Sequence, residues 1–265
     1  MTPRYAFIGG LHRSGTSLVT RCLAEHSAVT SFAHTGVWED EGQHLQDVLL
    51  PARLMGGPGR FARHPSARCE TVSDERAQWL RASLLAAWGP LWRADAEVRV
   101  AKSPPNLLRG RLLAQLFPES VLIVVRRHPL AVSLATRAMA RRFRSFGLVD
   151  LVEHWVIAHE TLADQAASLP NLRFVEHGTL VSGGHATLDP VFTSLGLTRK
   201  SSTIVLTDTD AKYRAEFGEL RSSLGAKDPL WAGLADLSAR VERLGYNLRG
   251  FERESNPTGP PFPVR

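Results

Sequence analysis

Cysteine is almost absent: Cys22 and Cys69 are the only two in 265 residues. They form no CxxC pair and no Cys/His cluster, so neither a disulfide framework nor a structural metal site is expected. Long apolar runs are missing too, and nothing approaches the roughly 18 residues of a membrane span. The opening Met1-Thr2-Pro3-Arg4 leads into only a short apolar run, Tyr5-Ala6-Phe7-Ile8, with no small-residue cleavage site. A secretory leader is therefore not expected, and a reduced, cytoplasmic protein is. Lysine is scarce beside arginine.

A hydrophobic fraction of 43% and a charged fraction of 22% suit a globular protein. The length suits a single domain over 1–253 with ample core. The tail 254–265, with Pro257, Pro260, Pro261 and Pro263, is expected to be loose. A formal charge of +6 favours polyanions: nucleic acid, an anionic membrane surface or a phosphorylated cofactor. Plain solubility explains it equally well, and no nucleic-acid-binding motif accompanies it.

Apolar patterning predicts strands at Tyr5–Gly9, Val98–Ala101, Val121–Val125 and Leu172–Glu176. Helices are predicted over Thr16–His26, Glu41–Leu50, Asp74–Trp88 (capped by Ser73) and Asn106–Phe117. Others start at Pro129 and cover Val149–Ser168, Asp189–Leu195 and Leu230–Leu244. Met55–Cys69, rich in Gly, Pro, Arg and His, reads as a loop. The alternation implies an α/β fold: a parallel sheet between two helical layers, with ligands at the carboxyl ends of the strands.

At one such end lies Gly9-Gly10-Leu11-His12-Arg13-Ser14-Gly15-Thr16-Ser17. Gly10 and Gly15 have phosphate-loop spacing between a strand and a helix. Small residues there let backbone N–H groups face phosphate oxygens, and the helix N-terminus adds partial positive charge. A nucleoside triphosphatase would place lysine where Thr16 stands; here the cation is Arg13, inside the loop. The strand 121–125 ends in Arg126-Arg127 rather than in an acid that would hold magnesium. A kinase or hydrolase with a variant loop, and a non-catalytic polyanion binder, remain the competing readings.

The wording Phe7 to Leu18 resembles the 5′-phosphosulfate loop of sulfotransferases that use 3′-phosphoadenosine 5′-phosphosulfate (PAPS). The tyrosylprotein and bacterial carbohydrate branch is the more similar one. The resemblance continues through Glu39-Asp40-Glu41-Gly42-Gln43, Lys102-Ser103-Pro104 and Val125-Arg126-Arg127-His128-Pro129, and returns at Lys212-Tyr213 and Leu244-Gly245-Tyr246. It implies a P-loop-like sulfotransferase fold and transfer of a sulfuryl group to a carbohydrate or small-molecule natural-product hydroxyl.

The resemblance assigns Arg13, Ser14, Gly15, Thr16 and Ser17 to the 5′-phosphosulfate and Arg127 to the 3′-phosphate. Where the family places a serine beside that phosphate, this chain has Ala135; Ser133 and Thr136, each within one helical turn, are the candidate replacements. Lys102 matches the lysine that contacts the sulfuryl group. Physically, an ammonium at a strand end neutralises developing negative charge. The family's catalytic glutamate maps to Glu41 or Glu39, with Glu41 better matched; an acidic first helical turn is the alternative use of these residues. His44 is a further candidate base, and His12 is placed either on the sulfate or toward solvent. Lys212 and Tyr213 are candidates for a late loop closing over the nucleotide, the ring on adenine. Arg126 and Arg137 add charge there or lie on the surface. The run Arg137, Arg141, Arg142, Arg144 reads as a solvated face or a polyanion stripe. The tryptophans line either the acceptor cleft or the core. The acceptor and the oligomeric state are not legible.

Overall fold

The computed structural model describes residues 2–139 and 146–251. The Arg141–Arg144 run and the proline-rich tail lie outside them. Five parallel strands form one sheet: β1 (Arg4–Gly9), β2 (Val29–Ser31), β3 (Val98–Lys102), β4 (Val121–Arg126) and β5 (Leu172–Glu176). Their order is β2-β3-β1-β4-β5, which puts the strand before the glycine loop at the centre.

Nine α-helices appear among the described residues: α1 (Thr16–Ala24), α2 (Asp74–Trp88), α3 (Gly110–Leu116), α4 (Pro129–Met139), α5 (Leu148–Ala166), α6 (His177–Gly183), α7 (Asp189–Ser194), α8 (Ala211–Ser223) and α9 (Pro229–Arg243). Strand alternation sorts them into layers. Ala6, Ile8, Val121, Ile123 and Val125 pack with Val19 and Leu23 of α1, Leu180 of α6 and Val191 of α7. Phe7, Leu122 and Val124 face the other way, toward Leu84 of α2, Leu113 of α3, Leu130 of α4, Trp155 of α5, Phe217 of α8 and Leu237 of α9. The result is the three-layer α/β architecture, with β4 buried along its whole length.

Register brings the strand ends level. Ile8 pairs with Lys102, Gly9 with Val124, and Arg126 with Glu176. The buried Asn106 amide ties this edge together, donating to the carbonyls of Ile8 (3.1 Å) and Ala101 (3.2 Å). Gly9 passes so close that an added Cβ would lie 2.4 Å from the Leu107 nitrogen, a space only glycine tolerates.

The structure departs from the periodicity in several places. The helix expected over Glu41–Leu50 is one 3-10 turn, Gly42–His44. Glutamine side chains there satisfy backbone groups instead: Gln43 Oε1 accepts from Ala52 N (2.7 Å) and Gln46 Oε1 from Val48 N (2.8 Å). Such bonds compete with a helix. The helix expected over Asn106–Phe117 is a 3-10 turn (Pro104–Leu108) followed by α3, because Asn106 is spent on the strand ends. The segment 55–69 is short 3-10 turns packed around fully buried Phe61. Strand β2 and helices α6 and α8 were not foreseen; β2 spans only three residues and α8 has weak apolar patterning.

Candidate active site

The loop after β1 turns on unusual backbone angles. Arg13 has φ 70 and Gly15 φ 104, the second serving as the N-cap of α1 without any side-chain cap. No acidic residue occupies the first turn of α1, so its exposed N–H groups carry undiminished positive character. Gly15 also abuts His177, the first residue of α6: a Cβ would stand 2.7 Å from His177 Cδ2. The Ser14 hydroxyl is buried with no hydrogen-bond partner among the described residues. Arg13 is exposed and lines a cleft of about 940 Å³. That volume falls within the range typical of small-molecule sites.

Lys102 reaches the same cleft from the end of β3, with only 3% of its surface exposed. Its Nζ donates to the Glu39 carbonyl (2.6 Å) and to Ser17 Oγ (3.2 Å), and stands 3.4 Å from Glu41 Oε1. Ser17 in turn donates to Glu39 Oε2 at 2.8 Å. Loop, lysine and both glutamates therefore form one connected cluster. Burial lowers the Lys102 pKa, opposed by Glu41 and Glu39. Burial raises the Glu41 pKa, opposed by Lys102. A buried carboxylate made more basic beside a buried ammonium is typical of sites built for proton transfer.

The acidic segment reaches the loop through strained backbone. His34, Glu39 and Asp40 all have positive φ (56, 53 and 49). The Asp40 carboxylate holds this turn, accepting from Thr35 Oγ1 (2.6 Å), Thr35 N (2.8 Å) and His34 N (3.3 Å). These bonds, the Thr35 hydroxyl first, lower the Asp40 pKa. Strain of this kind collects where geometry matters more than stability. His44 Nε2 lies 3.8 Å from Glu41 Oε2, and its pKa is lowered by burial. His12 borders the cleft with its pKa pushed down to about 3, chiefly by burial and then by Lys102. It is a neutral ring at ordinary pH.

Arg127, directly after β4, lines the cleft opposite Lys102's strand and is held on every side. Its Nε donates to Asp210 Oδ1 (2.7 Å), one terminal nitrogen to the Arg13 carbonyl (2.7 Å), and the other to Thr209 Oγ1 (2.8 Å) and Asp210. Arg126 instead turns into the core, against Glu176, Tyr246 and the Leu244 carbonyl. Its charge is neutralised by Glu176 3.5 Å away and is not presented to the cleft.

The structure thus gathers Arg13, Gly15, Thr16, Ser17, Glu39, Glu41, Lys102 and Arg127 around one space, but it does not bring in every residue expected there. Ser133 is fully buried and borders a separate small cavity with His12 and His154. Thr136 lies at that same cavity. The Tyr213 ring is buried in the core beside Phe217, 5.6 Å from the Arg127 guanidinium, and Lys212 is an exposed residue stacked on that ring. Neither lines the cleft, because α8 begins at Ala211 and turns both away. Arg137 pairs with Glu216 at 2.7 Å on the surface. Of the tryptophans, Trp88, Trp92 and Trp155 are core residues, whereas Trp38 is 67% exposed on the cleft wall. His177, Thr209 and Asp210 were missed, although His177 follows a strand end just as Lys102 and Arg127 do.

The description of the sulfotransferase family matches residues 5–201, covering the loop, both glutamates, Lys102, Arg127 and His177. The chain belongs to the sulfotransferase family. No curated relative matches it in sequence. Solved structures agree on the fold of the enzyme. A sulfotransferase from Alicyclobacillus acidocaldarius superposes with TM-score 0.50 and 12% identity, over 92% of this chain and 97% of that one. The sulfotransferase domain of the Synechococcus PCC 7002 olefin synthase gives TM-score 0.50 and 16% identity, over 93% and 96%. A sulfotransferase from Mycobacterium avium gives 0.50 and 11%, over 94% and 79%. In this enzyme no described helix is long and apolar enough to cross a membrane, and no group of three or more His, Cys, Asp or Glu residues gathers to hold a metal.

Proposed function

We propose that the enzyme transfers a sulfuryl group from PAPS to a hydroxyl of a carbohydrate or small-molecule natural product, within one domain spanning 1–253. The observation that carries this reading is the contact of Lys102 with both Ser17 of the loop and Glu41 in one buried cluster. The site fits a nucleotide's 5′ anion. The uncapped start of α1 and the exposed Arg13 both face the cleft and await acceptors, whereas the Ser14 hydroxyl is buried outside the cleft lining. PAPS, when bound, supplies the activated sulfuryl group.

The chain's own residues then divide the work. Arg13 and the N–H groups of Gly15, Thr16 and Ser17 hold and neutralise the 5′ phosphate. Lys102 stands where negative charge grows in the transition state, held by Ser17 and Glu39 so that no reorganisation is needed. Glu41 accepts the proton of the acceptor hydroxyl, its basicity raised by burial. Glu39, exposed and hydrogen-bonded to Ser17, aligns the loop with the acidic segment. Arg127 lies where the second phosphate of such a nucleotide would be gripped.

The test is a thermal shift with adenosine 3′,5′-bisphosphate beside ATP plus magnesium. The bisphosphate should stabilise the protein and ATP–magnesium should not. Stabilisation by ATP–magnesium alone would return the chain to the variant-kinase reading. A steep salt dependence without nucleotide selectivity would favour a polyanion binder.

A further inference from the structure

Arg127 enters the cleft with little left to give. A guanidinium has five N–H bonds. Those on Nε and on one terminal nitrogen go to Asp210 and Thr209, and the other terminal nitrogen gives one to the Arg13 carbonyl. One N–H remains. A dianion at this place needs another donor, and the helix that follows does not offer it: Ala135 has no hydroxyl, and Ser133 opens onto a separate cavity.

The missing donor stands beside Arg127 itself. Thr209 is exposed on the wall beside Arg127 and His177. Its Oγ1 already accepts from Arg127, so its own hydroxyl hydrogen is free to donate. The turn presenting it is built before any ligand arrives. Thr209 N donates to the Thr207 carbonyl (2.9 Å) and Asp210 N to Asp208 Oδ1 (2.9 Å). Asp208 pairs with Arg214 of α8, while the Asp210 carbonyl accepts the first helical N–H groups, from Tyr213 (3.0 Å) and Arg214 (2.9 Å). Asp210 is buried behind Arg127 and is not part of the cleft wall, so the arginine screens its charge from the space in front.

We propose that Thr209 supplies the hydroxyl that binds the nucleotide's second, 3′ phosphate, replacing the hydroxyl lost at Ala135. The ligand group is a phosphate monoester dianion on a ribose, taken by one arginine N–H and the Thr209 hydroxyl. This rests on the PAPS reading.

Calorimetric titration with adenosine 3′,5′-bisphosphate and adenosine 5′-monophosphate separates the two claims. Wild-type protein should prefer the bisphosphate; equal affinity for both would overturn the nucleotide reading itself. Thr209→Ala should weaken bisphosphate binding about tenfold, as one charge-assisted hydrogen bond requires, and leave the monophosphate within about twofold. Thr209→Ser should restore most of the loss, and Ser133→Ala should bind as wild type. A Thr209→Ala protein that keeps full bisphosphate affinity, or loses both nucleotides equally, sinks the assignment, as does loss confined to Ser133→Ala. Urea midpoints run alongside should match wild type for Thr209→Ala, since the side chain is exposed.

Discussion

Replacing Gly15 with alanine tests the loop at its tightest point. Two costs are readable from the structure. At φ 104 an L-residue is strained, at about 1–3 kcal/mol. The new Cβ would stand 2.7 Å from His177 Cδ2, so the ring or the loop must shift, at about 1–2 kcal/mol more. Together these give about 3 kcal/mol, or a fall of roughly 6–12 °C in melting temperature for a domain this size. Nucleotide affinity should fall more than tenfold, because the displaced residue caps the helix whose N–H groups face the ligand. A double-mutant cycle divides the two terms. His177→Ala removes the contact but not the strain, so Gly15→Ala should cost about 1–2 kcal/mol less in its background. Denaturant unfolding and calorimetry read both quantities. If Gly15→Ala retained wild-type stability and affinity, the close packing and the strained cap would both be refuted. If the cycle showed no coupling, the His177 contact alone would be.

Arg13→Ala should abolish most transfer with little change in stability, since its side chain is exposed; a variant retaining full turnover removes Arg13 from the chemistry. The rate should fall as pH drops through the Glu41 pKa, which burial places above the ordinary carboxylate value, because the base works only when deprotonated. Glu41→Gln should lose that acidic limb along with most of the turnover; a limb that survives in Glu41→Gln but vanishes in Glu39→Gln reassigns the base. His154 and His159 are buried neutral, with pKa values pushed down to about 3, so the unfolded chain binds protons that the folded one refuses. Stability from each is therefore present above pH 6.5 and lost as pH falls from there toward 3. Between pH 7.5 and 5.5 each should cost about 1.4 kcal/mol, measured by urea unfolding, and His159→Gln should flatten part of that slope.

Local chemistry alone was enough to read the alternating strands and helices, because β4 is an unbroken apolar run and α1, α5 and α9 carry clear apolar stripes. It was enough, too, to place the glycine loop between a strand and a helix: Gly10 and Gly15 at their spacing, Arg13 inside it and Thr16 in the lysine's place are facts of order along the chain. Lys102 and Arg127 were legible as basic residues at strand ends. Tertiary structure decided what distance in sequence hides. Arg126 and Arg127 are neighbours, yet one enters the core against Glu176 and the other the cleft, because successive side chains of an extended segment point to opposite faces. The same fold buries Tyr213, turns Ser133 toward its own cavity and carries Thr209 and Asp210 some eighty residues back onto Arg127. The glycine loop was written in the order of residues, whereas the partners of Arg127 were set by the turn before α8 that the fold lays against the end of β4.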